Sequence, residues 1–152
     1  MAKFSYNMPN SEYEFNLEKH ETKDVSDDHV NGSLTVVWRD YDKLIPTEPE
    51  MIYVSSVEPG EIKGPHLHTI RDSCFVCIRG KVIFIIKNED GSYQEIESSE
   101  DNPTMIKIPK GIISAHINPT NDISSVLTIA NIAWKTFPAL ICGNSIILKA
   151  SE

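Results

Sequence analysis

A chain of 152 residues, 40% of them hydrophobic, is the size of one domain, and it has no apolar run near the roughly 20 residues that a membrane span requires. With 22 acidic against 14 basic residues its formal net charge is -8, which disfavours nucleic acid as a partner, since affinity there rests on neutralising phosphates. An anionic ligand must be met by a local group of cations. The first twenty residues are polar and carry no apolar core ahead of a small-residue cleavage site, so a cytoplasmic location is expected.

Residues 1–32 read as a polar N-terminal arm, with Asp27-Asp28 and Asn31-Gly32 as turn signals and a short strand suggested by Tyr13, Phe15 and Leu17. The arm is expected to lie across a neighbouring subunit. Leu34 to Trp38, rich in β-branched and aromatic side chains, is the first main strand, and Pro46 and Pro49 mark the next stretch as a loop. Met51 to Val57 is a second strand. Pro59-Gly60 then turns the chain into Gly60-Glu-Ile-Lys-Gly-Pro-His66-Leu-His68. Ser73 to Arg79 and Lys81 to Lys87 form two β runs around Gly80. Asn88-Glu-Asp-Gly91 is a hairpin signal with Tyr93 to Glu97 returning, and Thr104 to Ile108 ends at Pro109-Lys-Gly111. Ser125 to Trp134 and Ala139 to Leu148 are the last apolar strands expected. No helical period of any length appears, and short strands with turn signals about every ten residues indicate a sandwich or closed barrel.

His66 and His68 at i and i+2 on a strand share a face, as do His116 and Asn118. Imidazole is both the side chain best suited to move a proton near neutral pH and the commonest metal ligand. The pair is therefore a metal clamp or a base with its helper, or else two half-exposed strand histidines bonded to backbone. Candidate cations are Lys63, Arg71 and Arg79, with Lys107 and Lys110 on a separate segment. Cys74 and Cys77 point to opposite sides if their strand is regular, so they are expected as free, small core residues in a reducing compartment, with Cys142 the third thiol.

Gly60-x5-His66-x-His68 up to Gly80, followed by Ile108-Pro-Lys-Gly111 leading to His116 and Asn118, resembles the two motifs of the cupin superfamily. The segment from Val57 to His66 is similar to the lead-in to the catalytic histidine of dTDP-4-dehydrorhamnose 3,5-epimerases. The His66-x-His68 pair, with Gly80 fourteen positions after His66, is similar to the spacing in dTDP-sugar 3,4-ketoisomerases. The resemblance implies an all-β fold, the cupin jelly-roll barrel (double-stranded β-helix), over residues 33–148 with 149–152 as a tail, and a homodimer. It implies a nucleotide-sugar epimerase or ketoisomerase acting on a dTDP-4-keto-6-deoxyhexose in deoxysugar or polysaccharide biosynthesis.

In that reading His66 is the base that removes a proton beside the keto group, and His68 or Arg71 stabilises the enolate. Lys63, Arg71, His116, Asn118 and Trp134 are expected to bind substrate, with Trp38 as a second aromatic able to stack on the pyrimidine. No cofactor and no metal are expected; if a metal is present, its ligands are His66, His68 and His116. The chain departs from metal cupins in having Ser73, beside Asp72, where they carry a glutamate. It departs from the epimerases in lacking their lysine at Ser73 and in offering no tyrosine among residues 130–134. A metal cupin with dioxygenase or isomerase chemistry, and a non-catalytic sugar-binding cupin, remain open.

Overall fold

Alternating apolar and polar side chains make most of this chain into strands, and the computed structural model, which describes residues 11–39, 49 and 51–130, contains no helix among them. The strands are β1 (Glu14–Asn16), β2 (Lys19–Lys23), β3 (Val30–Thr35), β4 (Met51–Val57), β5 (Ile62–Leu67) and β6 (Ser73–Arg79), followed by β7 (Lys81–Lys87), β8 (Tyr93–Ser99), β9 (Thr104–Ile108), β10 (Ile113–Ile117) and β11 (Ser124–Ala130). They form a five-stranded sheet in the order β1-β9-β6-β11-β4, a four-stranded sheet in the order β5-β10-β7-β8, and a β2-β3 ribbon, with every pairing antiparallel.

The two larger sheets face each other as a jelly roll, the all-β architecture expected from the turn spacing. Their inner faces alternate cleanly. Val82, Phe84 and Ile86 of β7 are buried, and they pack with Ile106 of β9, Val126 of β11 and Cys77 of β6. Burying each such side chain is worth about 1.5–3 kcal/mol, so this layer is the main source of stability. No helix among the described residues is long and apolar enough to cross a membrane.

Strand β6 is covered on both sides. Cys77 joins the inner core, whereas Cys74 and Val76 join Met105 and Ile129 in a second cluster, over which Phe15, Leu17, Val37 and Trp38 pack. Both thiols are free, and burial pushes Cys74 up to about 12 and Cys77 up to about 11, so neither is a thiolate at neutral pH. Trp38 is thereby corrected: it covers the outer face of the sheet, on the side away from His66, and cannot stack on a ligand inside the barrel.

The N-terminal stretch differs from expectation in two ways. Residues 11–32, the described part of the expected arm, are not one separate arm, because β1 pairs with β9 and Tyr13 is buried in the inner core. The apolar residues Tyr13, Phe15 and Leu17 dock onto the main sheet, so the barrel begins well before residue 33. The strand expected at Leu34 to Trp38 starts earlier, as β3, and Asn31-Gly32 lies inside it, Gly32 facing Thr22 of β2. The turn falls instead at Asp24 to His29, where the Asp24 carboxylate accepts from the backbone and side chain of Ser26 and Asp24 N donates to His29 O. The expected strands ending at Trp134 and Leu148, together with Cys142 and the tail, lie wholly or partly outside the described residues.

Gly80 turns the chain from the five-stranded sheet into the four-stranded one. Its φ is +72°, and a Cβ there would lie 2.7 Å from Ser124 Oγ, which itself donates to Lys81 O and accepts from Lys81 N. Gly80→Ala should therefore cost about 1–3 kcal/mol, read as a lower urea midpoint at unchanged m-value.

Candidate functional site

The site begins with a break in register between β5 and β10. Ser114 pairs with His66, and His116, two residues on, pairs with Lys63, three residues back, so β5 holds one extra residue at Gly64-Pro65. In a regular strand Lys63 and His66 would face opposite sides. The extra residue brings both to the side of Ser114 and His116, which is the inner side, because His116 pairs in turn with buried Phe84 of β7. Gly64 is required there: its φ is +117° and a Cβ would lie 3.0 Å from Ala115 Cα.

His68 follows on the same face as His66, the two rings parallel within 6° and their centroids 6.2 Å apart. Arg71, on the connection to β6, is buried, and its Nη2 donates to His68 Nε2 at 2.9 Å. An arginine always donates, so His68 Nε2 must be the acceptor and its proton resides on Nδ1. Arg71 also hydrogen-bonds Tyr53 of β4. A buried guanidinium without partners would be strongly unfavourable, and these two contacts make its position tolerable. Tyr53 pairs with Thr128 on β11, and Thr128 pairs with Phe75 on β6, giving an inward row across three strands.

These contacts set the charges. Burial, then the Arg71 and Lys63 cations, lowers His66 below its ordinary value. Burial, Arg71 and His66 lower His68 to about 4. Burial, His66 and Lys63 lower His116 to about 4; its ring lies 5.1 Å from that of Phe84 and 6.2 Å from that of Phe75. All three imidazoles are therefore neutral at pH 7, the state in which a histidine can accept a proton.

The other expected residues are distributed unevenly. Lys63 is half-buried at the bulge. Lys107 pairs with Cys74 on the outer face, and Arg79 is exposed near the Gly80 corner, so neither joins His66. Lys110 is exposed and its N–H donates to Asp72, which removes that carboxylate oxygen from the site. Asn118 is corrected from a substrate contact to a structural tie. It is fully buried; Nδ2 donates to Val57 O and Asp122 O, and Oδ1 accepts from Thr120 N and Thr120 Oγ1, which leaves nothing for a ligand. Trp134 lies outside the described residues.

Tyr53 is the site residue that sequence reasoning missed. The phenol was sought after the second motif, at 130–134, but it comes from β4, the neighbour of β11. The sequence carried no such signal: Met51, Ile52, Tyr53 and Val54 are all apolar or aromatic, and only the fold shows Tyr53 half-buried between exposed Ile52 and Val54.

The set His66, His68 and His116 does not fit a metal. Among the described residues the one group of three or more ligand atoms lying within 4.8 Å of one another is Asp24, Asp27 and His29, on the exposed β2-β3 turn. His68 Nε2 is engaged by the Arg71 guanidinium, and one oxygen of Asp72 accepts the backbone N–H of Lys110.

His116 couples this interior to stability. Its value is about 4 when folded against 6.5 as the ordinary value, so between these pH values the unfolded chain takes up a proton that the folded chain refuses. The stabilisation is complete above pH 6.5 and is lost as pH falls toward 4, by an amount on the order of 3 kcal/mol. His116→Phe should flatten the fall of the urea midpoint between pH 7 and pH 4.5.

The chain matches the family model described as FdtA: WxcM-like, C-terminal, over residues 15–137. Solved structures share the fold. NovW, a 4-keto-6-deoxy sugar epimerase from the novobiocin biosynthetic gene cluster of Streptomyces spheroides, has a TM-score of 0.68 at 11% identity, over 87% of this chain and 71% of that one. QdtA, a sugar 3,4-ketoisomerase from Thermoanaerobacterium thermosaccharolyticum in complex with TDP, has a TM-score of 0.57 at 21% identity, over 79% and 83%. The capsular polysaccharide assembling protein CapF from Staphylococcus aureus has a TM-score of 0.53 at 21% identity over 56% of this chain, which spans only 25% of CapF. No curated protein matches the chain. With one family model covering the sheets that carry the inward-facing histidine pair, the chain belongs to the FdtA family, WxcM-like C-terminal domains with the cupin jelly-roll fold.

Proposed function

We propose that the chain is a nucleotide-sugar epimerase or ketoisomerase that removes a proton next to the keto group of a dTDP-4-keto-6-deoxyhexose, in deoxysugar or polysaccharide biosynthesis. The observation that carries this reading is the neutral, solvent-reachable His66 beside a buried cation that is itself fixed by His68 and Tyr53. The solved structures of a 4-keto-6-deoxy sugar epimerase and a sugar 3,4-ketoisomerase support it through their shared fold.

His66 accepts the proton from the carbon beside the ketone, and the C–H electron pair moves into the carbonyl to form an enolate. The Arg71 guanidinium, or the Nδ1–H of His68, stabilises that oxygen as charge develops; preorganised donors of this kind are worth about 3–4 kcal/mol. Arg71 is already committed to two partners, so its role is at the enolate rather than as a fork on the diphosphate. Lys63, at the bulge, is the cation for the diphosphate. Tyr53 is the phenol that returns the proton from the side opposite His66, giving an epimer. Return at the neighbouring carbon through an enediol gives the ketoisomer. Neither route needs a cofactor.

The chain is further proposed to act as a homodimer, supported by the exposed apolar pair Ile52 and Val54 on β4, an edge of the five-stranded sheet among the described residues. Light scattering at micromolar concentration should give twice the monomer mass.

The central assay is solvent deuterium exchange into dTDP-4-keto-6-deoxyglucose, followed by NMR. Exchange should occur and survive chelation, and His66→Asn should slow it by about 100- to 10,000-fold while leaving dTDP binding nearly intact. The acid limb of kcat/KM should fall below pH 6.5, because the site lowers His66. Absence of exchange with this and related 4-keto sugars, with dTDP binding retained, would make the chain a sugar-binding protein instead; loss of exchange on chelation would transfer the chemistry to a metal.

A further inference from the structure

The residues from His68 to Asp72, which join β5 to β6, carry two groups of the site, yet neither packing nor their own backbone holds them in shape. Thr69 and Ile70 are exposed, Ile70 at 63%, and among the described residues no backbone hydrogen bond closes within this connection. Arg71, the next residue, is nonetheless buried. The chain rises into solvent and returns to set one guanidinium inside, an ordered path that costs chain entropy and so needs a tie at each end.

Both ties come from the turn between β9 and β10. Gly111 N donates to His68 O at 2.7 Å, and Lys110 N donates to Asp72 Oδ1 at 2.9 Å, so successive amides of one turn grip the two ends of the connection. The turn is closed in its own right by Ile112 N donating to Pro109 O. Successive N–H groups in a turn are a ready seat for oxygen acceptors. The first tie runs from backbone to backbone and any residue could make it. The second needs the side chain of Asp72.

The consequence falls on Arg71. Its Nη2 meets His68 Nε2 at 2.9 Å, and that contact places the His68 proton on Nδ1. Donor and acceptor stand on the same connection, so their meeting depends on the shape its backbone takes between the two ties. Tyr53 steadies the guanidinium from β4, but it cannot set the backbone from which Arg71 extends. We propose that Asp72 is a positioning residue, which by accepting the Lys110 amide holds Arg71 against His68 and so keeps both donors aimed at the enolate oxygen. The role rests on the proton-transfer reading of His66. Asp72 itself touches no reacting atom.

The test compares Asp72→Ala, which removes the acceptor, with Asp72→Asn, which keeps an oxygen in its place, both in the full chain. Nitrogen NMR of the histidine side chains reports which ring nitrogen of His68 carries the proton, and it needs no substrate. Wild type and Asp72→Asn should carry it on Nδ1, whereas Asp72→Ala should show a mixture of the two tautomers. Deuterium exchange into dTDP-4-keto-6-deoxyglucose should fall roughly 10-fold in Asp72→Ala, as loss of one hydrogen bond does, and stay within about threefold of wild type in Asp72→Asn. Affinity for dTDP should hold within about twofold in both, because Lys63 rather than Arg71 meets the diphosphate. A lower urea midpoint in Asp72→Ala with the His68 tautomer unchanged would reduce Asp72 to a fold contact and overturn the proposal. Loss of the Nδ1 proton in Asp72→Asn would overturn it as well, even where the alanine variant does not fold. The two readings separate: a tautomer change in Asp72→Ala with no exchange in wild type overturns the enzyme and keeps the positioning of Arg71, whereas exchange at one rate in all three proteins overturns the positioning role and keeps the enzyme.

Discussion

Everything at the mouth of this barrel depends on one close approach between two strands, at a glycine. Gly64 passes so close to Ala115 that a β-carbon would meet it at 3.0 Å, and the extra residue accommodated there turns Lys63 and His66 to one side. Restore a regular strand and the lysine leaves the site, because a one-residue slip exchanges the faces of all that follows. The bulge thus converts a sequence spacing of three into a shared surface.

Upon that geometry is built an electrostatic arrangement in which one buried cation acts on two imidazoles, His66 and His68. Arg71 fixes the tautomer of His68, lowers His66 and His68, and is held in place by Tyr53 from across the sheet. The guanidinium serves position and charge together: it adds to burial in lowering His66 and His68, and it would be a poor neighbour for a divalent ion. Among described residues no group of three ligand atoms lies together at the barrel mouth.

Local patterns were readable and long-range ones were not. Period-two alternation sufficed to place His66 and His68 on one face, to separate Cys74 from Cys77, and to bracket β6 and β7 around Gly80. Tyr53 sits in an unbroken apolar run, and its relevance depends on β4 being two strands from β6, a fact of topology rather than spacing. Arg71 read as one cation among several; its burial is decided by the strands that close over it. Asn118 shared a face with His116 on paper, but the chain turns at that point, and its amide is used by the turn. Trp38 failed for the opposite reason: the outer face of the five-stranded sheet is apolar too, and an aromatic side chain is equally at home there.

Asn118 carries a consequence for how the barrel assembles. Its side chain clasps Val57, 61 residues earlier, while its backbone exchanges hydrogen bonds with Gly60 and Glu61. Such a clasp can close only after the intervening strands β5 to β10 have found one another, since bringing distant segments together costs chain entropy that local contacts do not. Because it joins segments so far apart in the chain, the clasp is expected to form late and so to slow unfolding more than it hastens folding.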